Sequence, residues 1–563
     1  MDTKGKLASA FLFYLFYKSK GVQKLKNDAT FLLYNFDNIV IYKNLYQSLI
    51  LSNFYTTLRL IPYVSNKIKN GISSATEGLS KSLNQHDKGI EEIFKKNEID
   101  ISNKNNIPVV KSEVQLITLL EQLRESEKGK IANNKVSGTI YADTAVGQTK
   151  RRTEIFLSRI FHLYYLTNPL HPDVFPSLRY LERNLINFTL KLFNADLEKA
   201  RGVLTTGGTE SIFLACKAYR DYAKKRKGVD NPEMIVPNTI HPAFDKAAHY
   251  LGIKILRIPY CYKTDKLDIS KIYKMINKNT VMVALSAPNF PYGTCDPISV
   301  VAKITKKYDI PLHVDACLGG FVLAFLGNKS NSNSLPKMFN YDFTIDGVTS
   351  MSADYHKYAL CPKGSSIIIY NSRKYADYAY YVQPEWCGGI YATNSFTGSK
   401  SGNITLMTWA TIVLNGPKFY KRLARSINDA TFELATNLNK IPHVTVIGNP
   451  CDLVNVVAFY TDPKICHISG VNHFLKQKGY NLNELQKPDA VHIAVTENHI
   501  SEEFKKQFII DVVISVREAK LAQKEASDKG LPTGAAIYGT SQKISDSSII
   551  DKVARNYLDL LYS

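Results

Sequence analysis

Four short stretches of this 563-residue chain carry side chains whose types and order could do chemistry. The first is LTTGGTES, Leu204 to Ser211. Gly207 and Gly208 permit a tight turn, and Thr209, Glu210 and Ser211 open a helix, so exposed N–H groups there form a cradle suited to a phosphate. The second is His241 in NTIHPAF, just after an apolar strand, where ligands collect in α/β sheets and a flat imidazole could stack on an aromatic ring. The third is HVDACLGG, His313 to Gly320. Asp315 ends an apolar strand, so its carboxylate needs a partner, and beside a pyridine nitrogen it would favour the charged, protonated ring. The fourth is SADYHKYALCPKG, Ser352 to Gly364, with Lys357 between His356 and Tyr358, where a desolvated amine becomes nucleophilic. Taken singly, each has a plainer meaning: glycine pairs make turns, a lone histidine is a structural residue, and a loop lysine is a surface charge.

The order of the four says more than any one. Gly-Gly-Thr, then His, then Asp, then Lys, with 42 residues from Asp315 to Lys357, is the order of cofactor contacts in fold-type-I pyridoxal-phosphate enzymes. Further stretches agree in content and order: VSGTIY (Val136 to Tyr141), NPLHPDVFPSLRYLE (Asn168 to Glu182), APNFPYGTCDPI (Ala287 to Ile298), WCGGIYATNSFTGSKSG (Trp386 to Gly402) and GAAIYG (Gly534 to Gly539). In these motifs the chain resembles the sphingosine-1-phosphate lyases, in the group that also holds the pyridoxal-phosphate-dependent amino-acid decarboxylases. The resemblance runs from about residue 55 to the C-terminus.

The resemblance implies roles, residue by residue. Lys357 would carry the cofactor as a Schiff base, Asp315 would bind its pyridine nitrogen and His241 would stack on the ring. Gly208, Thr209 and His356 would hold the cofactor phosphate, aided by Ser399 of a partner subunit in a homodimer. Tyr141, Asn168, His171 and Lys363 would face the substrate, with Tyr141, His171 and Lys363 at its phosphate and reacting hydroxyl. Lys363 and Tyr141 are the acid–base candidates. No metal is implied. Three positions depart from the family pattern: Lys400 where an Arg is usual, Tyr292 where a His is common, and Tyr355 where a Thr is common. A lysine lacks the two-pronged fork of an arginine.

The implied reaction is a retro-aldol cleavage of a phosphorylated sphingoid base to a fatty aldehyde and phosphoethanolamine. The alternative is an amino-acid decarboxylase, which shares the core and breaks a different bond. VSGTIY, NPLH and the second lysine of HKYALCPKG favour the lyase. A catalytically silent scaffold on the same fold is opposed by the intact Lys357 and Asp315.

Elements must position these residues. Met234 to Val236, Ile253 to Ile258, Val281 to Leu285, Pro311 to Val314 and Ser365 to Tyr370 are short apolar runs, and Ser211 to Lys225 has helical spacing. Apolar runs alternating with helices predict a mostly parallel sheet buried on both faces. From about Gly416 mixed helices and strands (Thr445 to Val446, Val454 to Phe459, Val491 to Val495) predict a smaller α+β unit. With the resemblance, the expected fold is α/β, fold-type I and aspartate-aminotransferase-like. The expected division is a membrane-associating segment over 1–55, a helical arm over 56–162, the cofactor-binding large domain over 163–415 and a C-terminal small domain over 416–563.

Composition narrows the class. A chain that is 45% hydrophobic and 21% charged is an ordered globular protein. Its net charge of +21 is dispersed and no nucleic-acid motif accompanies it, so nucleic acid is not expected as a partner. Eight cysteines without a CxxC pair predict reduced thiols and no structural zinc. Leu7 to Tyr17 (LASAFLFYLFY) is an apolar and aromatic run flanked by lysines. It is too short to span a bilayer as a helix; it suits a membrane surface and equally an ordinary amphipathic helix packed on the body or a partner. The expectation is a membrane-associated protein with a cytosol-facing catalytic domain, of the endoplasmic-reticulum type in a eukaryote or delivered to a host by a bacterium.

Overall fold

In the computed structural model the described residues are 87–100, 111–131, 135–141, 148–326, 340–528 and 547–561, with scattered positions from 73 to 85. The N-terminal run Leu7 to Tyr17 and the GAAIYG motif lie outside them. The chain divides into two units, Met1–Glu121 with Lys543–Ser563, and Gln122–Gln542. In the first, Gln115 near the start of helix α1 (Glu113–Ile131) donates from Nε2 to Asn97 O at 2.6 Å. The second holds every candidate site residue.

Its centre is a seven-stranded sheet. The strands are β1 (Arg201–Thr205), β2 (Glu233–Pro237), β3 (Lys254–Ile258), β4 (Thr280–Ser286), β5 (Leu312–Asp315), β6 (Val348–Ala353) and β7 (Ser366–Tyr370). Their spatial order is β1-β7-β6-β5-β4-β2-β3, and all neighbours are parallel except β7, which runs antiparallel to β1 and β6. The five apolar runs of the sequence all become strands.

They read as unbroken apolar runs because successive side chains enter opposite, equally dry faces. Val203, Met234, Val236, Met282, Ala284, Ile368 and Tyr370 join one core. Leu204, Ile235, Val283, Leu285, Val314, Ile367 and Ile369 join the other. Helix α2 (Pro176–Leu192) adds Leu185 and Leu190 to the second core. Helix α3 (Gly208–Lys227) adds Ile212, Leu214 and Tyr219 to the first. Each fully buried aliphatic side chain contributes about 1.5–3 kcal/mol, which fixes strand register firmly.

Helix α4 (Gly402–Leu438) leads from this sheet towards a second, and Gly416, at φ 67° before Pro417, kinks it at the position where the sequence pattern changes. The second sheet is antiparallel, of β8 (Val444–Val446), β9 (Val456–Thr461), β10 (Asn483–Leu485) and β11 (Ala490–Ala494), in the order β8-β9-β11-β10. This is the large mostly parallel sheet and smaller α+β part expected from the sequence. Among the described residues no helix is long and apolar enough to cross a membrane.

Candidate active site

The site's floor is laid by the C-terminal ends of β5 and β6. Asp315 closes β5 and is 6% exposed. Its Oδ1 accepts from Cys317 N at 3.1 Å and Ser352 Oγ at 3.2 Å. Behind it runs a buried polar chain, because the β5–β6 register sets His313 opposite Ser350 and Asp315 opposite Ser352. Since Ser352 donates to the carboxylate, His313 Nε2 donates to Ser352 (3.2 Å) and His313 Nδ1 accepts from Ser350 Oγ (2.7 Å). Burial keeps this imidazole neutral, pushing its pKa down to about 4 against the pull of Asp315. The carboxylate is thus held in place without a competing cation.

Lys357 stands on the turn after β6. Its Nζ lies 2.8 Å from Oδ2 of Asp354, a carboxylate with a 2% exposed side chain. Burial opposes the lysine's charge, but Asp354 outweighs it and raises the pKa. The same pairing holds Asp354 below the usual carboxylate range despite its own burial. His356 Nε2 is 3.5 Å from Asp354 Oδ2, and its buried Nδ1 has no partner among the described residues. Burial, with the Lys357 and Lys363 cations, lowers the His356 pKa. Gly208 roofs this group: a Cβ there would lie 2.9 Å from both Asp354 oxygens and from Cys317 Sγ. Thr209 follows it, exposed, at the start of α3.

His241 accepts from Ala243 N at Nδ1 (3.1 Å), which leaves the proton on Nε2. Burial first, then Lys357, lowers its pKa against the pull of Asp315 and Asp354. Its ring meets Phe290 edge-on at 6.2 Å.

A wall of different origin faces Lys357. Tyr141 is 5% exposed and packs edge-on against Tyr358 at 5.0 Å. Lys363 Nζ lies 4.9 Å from the Tyr141 ring centre. Desolvation and the Lys357 cation lower the Lys363 pKa, with Asp354 opposing. Burial raises that of Tyr141, against the pull of Lys357.

Two candidates gather to one side. Asn168 donates from Nδ2 to Ser399 Oγ at 2.9 Å. The Ser399 loop is tied to the start of α3 by Glu210, which accepts from Phe396 N (3.0 Å) and from Thr206 N and Oγ1 (both 2.7 Å). A cavity of about 300 Å³ opens there, lined by Thr205, Ser365, Ser366, Ser399, Lys400 and Thr405. His171 is exposed in the turn after Asn168, and no hydrogen bond or ion pair among the described residues joins its side chain to Lys357. Lys357, His356, Asp315, His241, Gly208, Tyr141 and Lys363 are therefore brought together, whereas among the described residues no hydrogen bond, ion pair or ring contact joins Asn168, Ser399 or His171 to them.

This set fits pyridoxal phosphate. A buried lysine amine, a buried carboxylate with both described hydrogen bonds on Oδ1, a neutral imidazole, a side-chain-free roof and an unpartnered His356 Nδ1 match a carbonyl, a ring nitrogen, a ring face and a phosphate. A model of the pyridoxal-dependent decarboxylase conserved domain matches residues 167–450. The solved sphingosine-1-phosphate lyase of Burkholderia pseudomallei K96243 is 32% identical, with a TM-score of 0.68 over 75% of this chain and 94% of that one. Sphingosine-1-phosphate lyase of Dictyostelium discoideum is 39% identical over 79% of this chain and 80% of its own length. Sphingosine-1-phosphate lyase 1 of Rattus norvegicus is 35% identical over 91% of this chain and 84% of its own length. The chain belongs to the sphingosine-1-phosphate lyase family. It is a lyase of fold-type I, and its cofactor is pyridoxal phosphate.

Within this lyase the three departures acquire physical readings. Tyr355 turns away from Lys357 into the core, its hydroxyl bonded to Thr189 Oγ1 and Leu185 O. Tyr292 is buried and stacks on Tyr260 at 5.3 Å, donating to Lys487 O at 3.3 Å. Lys400 is neutralised internally, its Nζ 3.3 Å from both Glu182 Oε1 and Leu204 O. Residue-by-residue reading of the sequence missed Asp354, the counter-ion of Lys357. A carboxylate three residues before the lysine in SADYHK was the available signal.

Proposed function

We propose that this lyase cleaves the C2–C3 bond of a phosphorylated long-chain base, releasing a fatty aldehyde and phosphoethanolamine. The cluster of Lys357, Asp315, Tyr141 and Lys363 around one space carries the reading. When bound, pyridoxal phosphate supplies an electron sink for the pair released at the amine-bearing carbon.

The residues would divide the work as follows. Lys357 would hold the cofactor's carbonyl carbon, and Asp315 its ring nitrogen, where an opposite charge favours the protonated form. His241, neutral and with one nitrogen engaged, would lie against the ring. Gly208, Thr209 and His356 would hold the phosphate. Lys363 would take the proton of the 3-hydroxyl, since its lowered pKa makes the neutral amine more accessible. Tyr141, whose raised pKa keeps its proton, would donate a hydrogen bond to the same oxygen. Asn168 and His171 would meet the substrate's phosphate. Incubating the holoenzyme with sphingosine 1-phosphate should yield aldehyde and phosphoethanolamine by mass spectrometry. Carbon dioxide from glutamate or tyrosine, with no aldehyde from the phospholipid, would overturn the reading.

A homodimer is part of the proposal, with Ser399 presented to the partner's cofactor phosphate. The short hairpin of Tyr381–Gln383 and Tyr391–Thr393 supports it, because Tyr381, Val382, Trp386, Ile390 and Phe396 expose apolar surface beside the Ser399 loop. A fully active monomer at assay concentration would contradict it. Membrane association through residues 1–55 completes the proposal, with a cytosol-facing catalytic part in keeping with eight free cysteines. Equal recovery on anionic vesicles of the full chain and a chain lacking residues 1–52 would remove that role.

A further inference from the structure

The segment carrying Tyr141 is stitched to the small sheet. Val136 bridges Asn481 in parallel, with Ser137 N donating to Asn481 O (3.0 Å) and Asn481 N donating to Lys135 O (2.8 Å). Beyond this backbone bridge lies a polar chain whose donors and acceptors can be assigned one by one. His492, on β11 and fully buried, has Nδ1 2.9 Å from Pro291 O. A carbonyl only accepts, so Nδ1 carries the proton and Nε2 is an acceptor. Asn483 Nδ2, on β10, donates to that Nε2 (2.9 Å) and to Ser137 Oγ (3.0 Å). Ser137 Oγ also accepts from Ala494 N (2.9 Å) and donates to His492 O (3.4 Å). Turning the Asn483 amide over would set its oxygen against the lone pair of Nε2, so the histidine fixes which way the amide points. Burial holds His492 neutral, its pKa pushed down to about 4, so an ordinary assay pH does not disturb the chain.

The amide and the catalytic wall both come close to one residue. Gly138 takes φ +67°, and a Cβ there would lie 3.8 Å from both Asn483 Nδ2 and Tyr141 Oη. The Asn483 amide therefore sits at the turn that aims the Tyr141 hydroxyl. The same imidazole meets Phe290 edge-on at 4.8 Å, and Phe290 in turn abuts His241.

We infer that Asn483, oriented by His492, is a positioning residue that sets where the Tyr141 hydroxyl meets the substrate. The inference rests on the reading of Tyr141 as a group that contacts the reacting oxygen. The backbone bridge, with Lys135 Nζ on Lys478 O (2.9 Å), holds residues 135–137 whatever the amide does. The amide adds the placement of the phenol, to which rate is far more sensitive than folding, since a misplacement of about 1 Å can cost on the order of 100-fold.

The test is a double-mutant cycle on the holoenzyme, with Asn483→Leu, which keeps the number and branching of side-chain heavy atoms but removes the amide, Tyr141→Phe, and both together. Asn483→Leu should lower kcat about 10-fold with KM changed less than about threefold and wild-type cofactor absorbance per subunit. Tyr141→Phe should lower kcat roughly 100-fold, and the double variant should stay within about threefold of Tyr141→Phe alone. Ser137→Ala, which removes one hydroxyl, should lower kcat about threefold and show the same non-additivity if Asn483→Leu does not fold. An unchanged kcat in Asn483→Leu, or costs that multiply in the double variant, would overturn the inference. A fully active Tyr141→Phe would show instead that the reading of Tyr141 fails, and the inference would fall with it.

Discussion

The floor and the wall of this site are built in opposite ways. The floor, Asp315 with Lys357, hangs from adjacent central strands, where register and a buried chain through His313, Ser350 and Ser352 fix each atom. The wall, Tyr141 with Lys363, hangs from loops. Tyr141 follows a segment bridged to the small sheet, and Lys363 precedes Gly364, at φ +92°, in a turn closed by Ser365 Oγ on Pro362 O (2.7 Å). The chemistry each must do explains the contrast. Drawing electrons from an amine-bearing carbon is common to enzymes that break different bonds, and a rigid sheet suits it. Choosing the bond depends on what grips the rest of the substrate, and loops can vary for that without disturbing the core.

The largest effect should come from the floor. Lys357→Ala should abolish turnover and the visible absorbance of bound cofactor while the fold survives, checked by absorbance and circular dichroism. Retention of the band would transfer the role to another lysine, Lys363 first. Asp315→Asn should keep the cofactor bound but slow cleavage by roughly 100- to 1,000-fold, because the ring nitrogen loses the charge that holds its proton. Near-normal turnover at full occupancy would show that another group fills that place.

The wall should show itself in pH dependence. A base acts when neutral, so kcat/KM should fall as pH drops through the Lys363 pKa, which burial and Lys357 set below the ordinary lysine value. In Lys363→Arg, which stays protonated, that limb should vanish from the pH–rate profile. A limb shared by both proteins would belong to a different group. The smallest effect sharpens the contrast from beneath the floor. Tyr355→Phe should lower stability by about 1–2 kcal/mol through the lost hydroxyl bonds, seen as a lower Tm, with kcat unchanged.

Much of the floor was legible in the sequence because its signals are local. Val281 to Leu285 and Pro311 to Val314 announce strands by composition, and Asp315 ends the second of them. Strand β6 was not announced, since VTSMSA reads as polar. Its serines are buried because His313 and Asp315, on the neighbouring strand, and Tyr219 of α3 bond them. Tyr355 and Tyr292, conspicuous in sequence beside the motifs, prove to face the core. The support of the wall was hidden for a different reason: Ser137 and Asn483 lie 346 positions apart, and no local pattern joins them.

The most direct test of this division is Lys363→Ala, followed by cofactor absorbance and aldehyde release in the same cuvette after adding sphingosine 1-phosphate. On this division Lys363→Ala keeps full cofactor occupancy, shows a spectral change on substrate addition, and releases aldehyde roughly 100-fold or more slowly. Loss of the cofactor band, or aldehyde released at the wild-type rate, would contradict it.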